Sequence, residues 1–156
     1  MEFNGIPLHP LVVHAVVVFA PLSALAGILY AVRPRWRWAL RWPLLAATLI
    51  AVVNAVVATM SGQDLAETRG LDAAVQTHEE RGELLRNVLL AYTVAVGLAS
   101  WRLGGPSGLK SGRFERPEPG GVVSVLTIGL LVVGAIAVGV MVSLTGDSGA
   151  RAVWGA

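Results

Sequence analysis

Four apolar stretches, at roughly residues 11–32, 44–60, 84–101 and 121–144, constrain this chain more than anything else in it. Each approaches the ~20 residues that an α-helix needs to cross a hydrocarbon core about 30 Å thick. A bilayer interior has no water for backbone amides, so spans of this length must close their hydrogen bonds internally, as helices. A soluble reading fails on composition: 54% hydrophobic residues would have to be covered by 14% charged ones. The pattern predicts an all-α, four-transmembrane-helix bundle forming one integral membrane domain, residues 1–156, with helices over about 10–32, 43–61, 72–103 and 121–145.

Charge predicts the orientation. Between the first two stretches stand Arg33, Arg35, Arg37 and Arg41 with no acid, and between the last two stand Arg102, Lys110, Arg113 and Arg116 against Glu115 and Glu118. These two segments hold eight basic and two acidic residues, a balance of +6. The N-terminus, residues 61–86 and the C-terminus hold Arg69, Arg81, Arg86 and Arg151 against Glu2, Asp64, Glu67, Asp72, Glu79, Glu80, Glu83 and Asp147, a balance of −4. Short loops rich in Arg and Lys stay cytoplasmic. Both termini and the 61–86 segment are therefore expected outside, in a multi-pass protein of a bacterial cytoplasmic membrane; the bacterial source is read by association from the Ala- and Arg-rich, single-Lys composition.

The basic residues then need no nucleic-acid partner, because topology and attraction to an anionic inner leaflet account for them. Trp36, Trp38 and Trp42 among the arginines read as an interfacial anchor, with Trp101 at the same boundary and Trp154 at the opposite one. The first stretch lacks the positive n-region and small-residue cleavage site of a secretory signal, so it is expected to remain as a helix. The chain has no cysteine, which excludes disulfides, thiolate metal sites, iron–sulfur clusters and covalent haem attachment.

Local signals refine the helices. Pro10 suits a first turn. Pro21 removes one backbone hydrogen bond inside helix one, and Ser23, Ala24 and Gly27 beyond it allow a neighbour to approach closely. Pro43 is expected to open helix two. Residues 104–121, rich in Gly and Pro, read as a flexible linker without the spacing of a phosphate loop. Asn54, deep in helix two, is expected to bond a neighbouring helix. Ala135 and Gly139 form a small-xxx-small pair, so helix four is expected to pack tightly within the bundle, against another copy or against another membrane protein.

With Gly70 as a break, helix three is expected to begin near Asp72 and project outward before entering the membrane near Leu84, placing His78 about 9 Å above that point. All three histidines then map to one membrane face, His9 before helix one, His14 inside it and His78 on the extension. Asp64 and Asp147 end helices two and four at the same level, with Met60 and Met141 close by. His9, His14, His78, Asp64 and Asp147 are the candidate metal ligands, and His14 with His78 the candidate cofactor pair. On a regular helix His9 and His14 diverge by about 140°, and His14 and His78 differ in height by two to three turns, which is awkward for one haem iron. A site using His9, His78 and a carboxylate is easier, for zinc, or for copper if a methionine joins. The plain alternative is that His9 bonds the helix start, His14 bonds a neighbouring helix and His78 stands in water. As an intramembrane ionisable residue His14 remains a functional candidate.

The run Gly5-Ile6-Pro7-Leu8-His9-Pro10-Leu11-Val12-Val13-His14 resembles the opening PLHPxxVH signature of DUF2231, a family of small bacterial membrane proteins of unknown function. The Ser61-Gly62 turn, Thr77-His78-Glu79-Glu80 and the closing Gly146-Asp147-Ser148-Gly149-Ala150-Arg151-Ala152-Val153-Trp154 resemble its later pattern. The resemblance implies four transmembrane helices with the signature residues gathered outside. It also implies a histidine, in many relatives, where Asp147 stands here, and redox company, since some members are fused to Rieske-type domains.

Two functions follow as expectations. One is binding of haem b or a transition metal (copper, zinc or iron) at the outer face, for electron transfer or metal handling. The other is a non-catalytic accessory or assembly role in a larger membrane complex. A transporter fits less well, since no charged residue sits at a midplane and no broken-helix pair is present. No nucleophile–base pair, H-E-x-x-H or phosphate loop points to an enzyme.

Overall fold

A computed structural model describes residues 2–3, 6–69, 73–118 and 120–154. Two short strands, β1 (Glu2–Phe3) and β2 (Ile6–Pro7), pair antiparallel, with Glu2 opposite Pro7 and Phe3 opposite Ile6. Four helices follow: α1 (Leu8–Val32), α2 (Arg37–Arg69), α3 (Ala73–Arg102) and α4 (Val122–Trp154). A single 3₁₀ turn, Pro34–Trp36, joins α1 to α2. All four helices are long and apolar enough to cross a membrane. Large apolar side chains such as Val125, Leu126, Val133 and Ile136 point outward from the bundle, as lipid requires.

The helices run up, down, up and down. α1 lies beside α2 and α4, α3 lies beside the same two, and α1 and α3 face each other across the diagonal. Much of the core is alanine (Ala20, Ala24, Ala51, Ala55, Ala95, Ala99, Ala135), which lets the helices approach closely. Around Tyr92 the fit is close. Its hydroxyl donates to the Ser23 carbonyl at 2.9 Å, and its ring lies in a slot between Gly27 of α1 and Gly134 of α4. A Cβ at Gly27 would fall 2.0 Å from Tyr92 Oη, and one at Gly134 2.8 Å from Cδ2. The predicted close approach at Ser23–Gly27 is therefore present, and α3 makes it. Tyr30 crosses the same diagonal nearer one end, donating to the Leu103 carbonyl at 3.3 Å.

At that end two arginines close the helices. Arg37, only 3% exposed, donates from Nε to the Tyr30 carbonyl, from Nη2 to that of Ala31 and from Nη1 to that of Gly104, and it pairs with Glu118. Arg116 donates to the carbonyls of Ser100 and Trp101. Each cation thus meets the last carbonyls of α1 or α3, which are unpaired within the helix and lie at the negative end of its dipole.

Several expectations change. α2 begins at Arg37, so Pro43 lies inside it; the Arg/Trp run is itself helical because Pro34 already starts the turn. Ser61-Gly62 and Gly146–Trp154 are helical as well, α2 and α4 extending past the apolar runs. Asn54 donates back to the Ile50 carbonyl of its own helix, the i−4 bond open to a polar side chain that faces lipid. Residues 104–118 are pinned: Gly105 and Arg116 exchange backbone hydrogen bonds of 3.0 and 3.2 Å, and a Cβ at Gly104 would fall 2.0 Å from the Pro117 carbonyl oxygen. These glycines permit close approach where looseness was expected. Ala135 is buried but Gly139 has no neighbour within 4 Å of a built Cβ, so Gly134, not Gly139, is the close-packing glycine of α4. The break expected at Gly70 and the helix start at Asp72 lie outside the described residues; α3 is helical from Ala73.

Candidate functional site

His9 is the second residue of α1 and His78 lies in the first turns of α3, so the diagonal that Tyr92 and Tyr30 bridge brings the two rings together at the opposite end of the bundle. Their centroids are 6.3 Å apart and the ring planes are nearly perpendicular, at 85°. Each ring is held by the helix that follows its own in sequence. His9 Nδ1 donates to the Ala58 carbonyl of α2 at 2.9 Å, and its ring rests on Gly62, where a Cβ would lie 3.1 Å from Cε1. His78 Nδ1 donates to the Thr145 carbonyl of α4 at 3.2 Å, and its ring rests on Gly149, where a Cβ would lie 3.0 Å from Cε1.

The two seats share one design. In each, the imidazole lies along one helical turn, bonding the carbonyl at position i and lying over the glycine at i+4. In each, a buried serine at i+3 returns its hydroxyl to that carbonyl, Ser61 to Ala58 at 3.2 Å and Ser148 to Thr145 at 2.9 Å. Ser148 Oγ also lies 3.3 Å from His78 Nδ1. The halves α1–α2 and α3–α4 thus repeat a histidine against a Ser-Gly helix end. A signal for this was present in the sequence, as Ser61-Gly62 and Ser148-Gly149.

The hydrogen bonds set the tautomer. A carbonyl can only accept, so each Nδ1 carries the proton, and in the neutral ring Nε2 keeps its lone pair. Neither Nε2 has a hydrogen-bond partner among the described residues. An imidazole whose Nδ1–H is anchored on a carbonyl is the usual arrangement behind a metal-ligating Nε2.

The other candidates are placed apart. α1 is already helical at His9, so His14 turns away; it is exposed, and its Nδ1 bonds the Pro10 carbonyl of its own helix. Asp147 is exposed and lies 3.1 Å from Arg151 Nε and 3.7 Å from Arg81 Nη1, which compensate its charge. Asp64 is exposed on α2, two positions past the seat of His9. Met60 is half-exposed and Met141 buried. Among the described residues no group of three or more His, Asp or Glu is gathered for one metal ion. Among the described residues the five candidate ligands therefore do not form a single cluster; His9 and His78 are the pair whose rings meet. Arg81, which no local pattern singles out, donates from its guanidinium to the Leu144 carbonyl at 2.9 Å, and its own backbone carbonyl accepts from Thr145 Oγ1 at 3.2 Å, stitching α3 to α4 beneath His78.

A family model described as a predicted membrane protein, DUF2231, matches residues 5–156. No curated protein and no solved structure matches the chain.

Proposed function

The chain belongs to the DUF2231 family of predicted membrane proteins, and from that premise we propose that His9 and His78 bind one first-row transition-metal ion at the outer face of the membrane. The observation that carries this reading is the shared anchoring of the pair: both Nδ1–H groups are committed to carbonyls while the rings stand 6.3 Å apart. Two imidazoles bound to one ion at ~2.0–2.1 Å have centroids roughly 5.2 Å apart at a tetrahedral angle and about 6.4 Å apart when opposed, so a tetrahedral ion draws these rings about 1 Å closer. Neutral imidazole suits zinc, copper, iron and nickel. Two protein ligands leave open positions, which fits an ion that exchanges, in metal handling or electron transfer, better than a closed structural site. The tight glycine seats favour an ion over haem, which would have to enter between rings already held at both sides. The outward orientation rests on the arginine balance of the opposite end.

Titration of detergent-purified protein with zinc and copper tests this, with elemental analysis and an absorption spectrum of the same sample. One ion per chain is expected, lost by at least about tenfold in affinity in His9→Ala and in His78→Ala and retained in His14→Ala. Folded protein that binds no ion contradicts the reading, and a Soret band would replace the ion with haem.

The accessory role is a second reading, favoured by α4. Its apolar stretch is the least buried of the four, and Gly129 and Gly139 have open space where a Cβ would stand. Such a face admits a neighbouring helix. Crosslinking in native membranes at Gly139→Cys, in a chain with no other cysteine, should trap a defined partner or a second copy; monomer alone contradicts it.

A further inference from the structure

At the end of the bundle remote from the histidines, a cavity of about 130 Å³ opens between the C-terminus of α1, the start of α2 and the 103–116 segment. Three guanidinium-bearing residues line it, Arg37, Arg41 and Arg116, with Trp38, Trp42 and Phe114 among its walls. No acidic residue is among its described lining. The arginines differ in how much of their hydrogen-bonding capacity is used. Arg37 and Arg116 spend theirs on helix-end carbonyls and Glu118. Arg41 does not: its Nε is buried and has no hydrogen-bond partner, while its guanidinium lies over the Trp42 ring at 5.3 Å. A buried donor left unpaired is costly, and a charged one more so. Here it borders a cavity lined by two further cations.

We infer that this cavity binds a phosphate group, with Arg41 as its principal donor and Arg37 and Arg116 supplying the surrounding positive field. Three features select phosphate. Guanidinium presents a planar fork that matches phosphate oxygens. Three cations offset by one carboxylate leave a balance of about +2, which a phosphate dianion neutralises and a phosphodiester monoanion halves. The volume is close to the ~150 Å³ that accommodates a benzene-sized guest, which admits a phosphate but no acyl chain. Exposed Trp36, Trp42 and Trp101 surround this end of the bundle as interfacial anchors do, so the cavity lies at headgroup depth. Basic pockets between transmembrane helices at that depth take anionic lipid headgroups. The phosphate therefore arrives on a phospholipid or as the free ion, and both present the same oxygens.

The test uses the full chain in detergent micelles, with dioleoylphosphatidylglycerol, dioleoylphosphatidylcholine and inorganic phosphate as probes. Native mass spectrometry counts retained lipid, and tryptophan fluorescence reports on Trp38 and Trp42. Wild type should retain one phosphatidylglycerol per chain and bind phosphatidylcholine about tenfold more weakly. Arg41→Gln should weaken phosphatidylglycerol binding about tenfold, the loss expected for one charge-assisted hydrogen bond. Arg35→Gln, which removes the same charge from an exposed position outside the cavity, should stay within about twofold. Should Arg41→Gln fail to fold, Arg41→Lys keeps the charge but has no Nε–H donor, and it too should weaken binding. Displacement of the lipid by millimolar phosphate assigns the free ion as ligand; resistance to displacement assigns the lipid. Equal binding by the Arg41 variants and wild type overturns the site. So does an equal loss in Arg35→Gln, as does the absence of any preference for phosphatidylglycerol together with no phosphate binding.

Discussion

His9 and His78 meet with ring centroids 6.3 Å apart, each seated on a glycine of a different helix, Gly62 and Gly149. A methyl group at either glycine would press on the ring at 3.1 or 3.0 Å, so the ring must shift by a few tenths of an ångström. Replacing a helical glycine by alanine also gains about 1 kcal/mol of helix propensity. Gly62→Ala and Gly149→Ala should therefore leave stability within about 1 kcal/mol of wild type while weakening metal binding several-fold. Gly82→Ala, in α3 with nothing within 4 Å, is the control and should stabilise without touching affinity. Thermal melts beside zinc titrations check all three.

The slot around Tyr92 makes a sharper stability prediction. Gly27→Ala places a methyl 2.0 Å from Tyr92 Oη, and overpacking of this kind costs about 1–3 kcal/mol. Tyr92→Phe removes the clashing oxygen and its bond to the Ser23 carbonyl, at about 1 kcal/mol. The double variant should be more stable than Gly27→Ala alone, a non-additivity readable by denaturation in mixed micelles. Additive losses would mean that α1 and α3 do not meet there.

Arg37 and Glu118 form one ion pair but carry unequal weight. Arg37 is 3% exposed and bonds two carbonyls at the end of α1 and that of Gly104 just beyond α3, whereas the Glu118 side chain is 41% exposed. Arg37→Ala should cost about 2–3 kcal/mol, since several charge-assisted hydrogen bonds go with it. Glu118→Gln should cost under about 1 kcal/mol, as for other water-accessible pairs. Comparable losses from the two would assign the effect to the ion pair instead of the cap.

Orientation is checked by cysteine labelling, which the cysteine-free chain makes clean. Gln76→Cys, exposed on α3 near His78, should react with an impermeant maleimide added to intact cells, and Lys110→Cys, exposed in the arginine-rich segment, only after permeabilisation. The reverse pattern would place the histidine pair in the cytoplasm.

The bundle was legible because lipid leaves a long apolar run no alternative to a helix, and the proximity of His9 and His78 followed once both mapped to one end. Helix ends were less legible. Ser61-Gly62 reads as a turn and helix four as ending near residue 145, yet α2 and α4 run on through both places, with an imidazole or arginine of a neighbouring helix bonding the Ala58, Leu144 and Thr145 carbonyls just before them. Gly104 and Gly105 misled in the same way: glycine marks looseness and close approach alike, and only packing distinguishes them. Asp147 reads as a ligand because its level matches His78; in the fold its carboxylate lies against Arg81 and Arg151, a pairing no local pattern announces. In sequence Arg37 reads as topology signal alone, since no local pattern announces that a cation will be buried against helix ends.

Whether His9 and His78 share one metal ion through their Nε2 atoms is measured most directly by imidazole ¹⁵N NMR in micelles. On adding one equivalent of zinc, the Nε2 resonances of His9 and His78 should shift together, both Nδ1 signals should remain protonated, and those of His14 should stay where they were. Shifts confined to His14, or no change at any histidine in folded protein, would contradict the account.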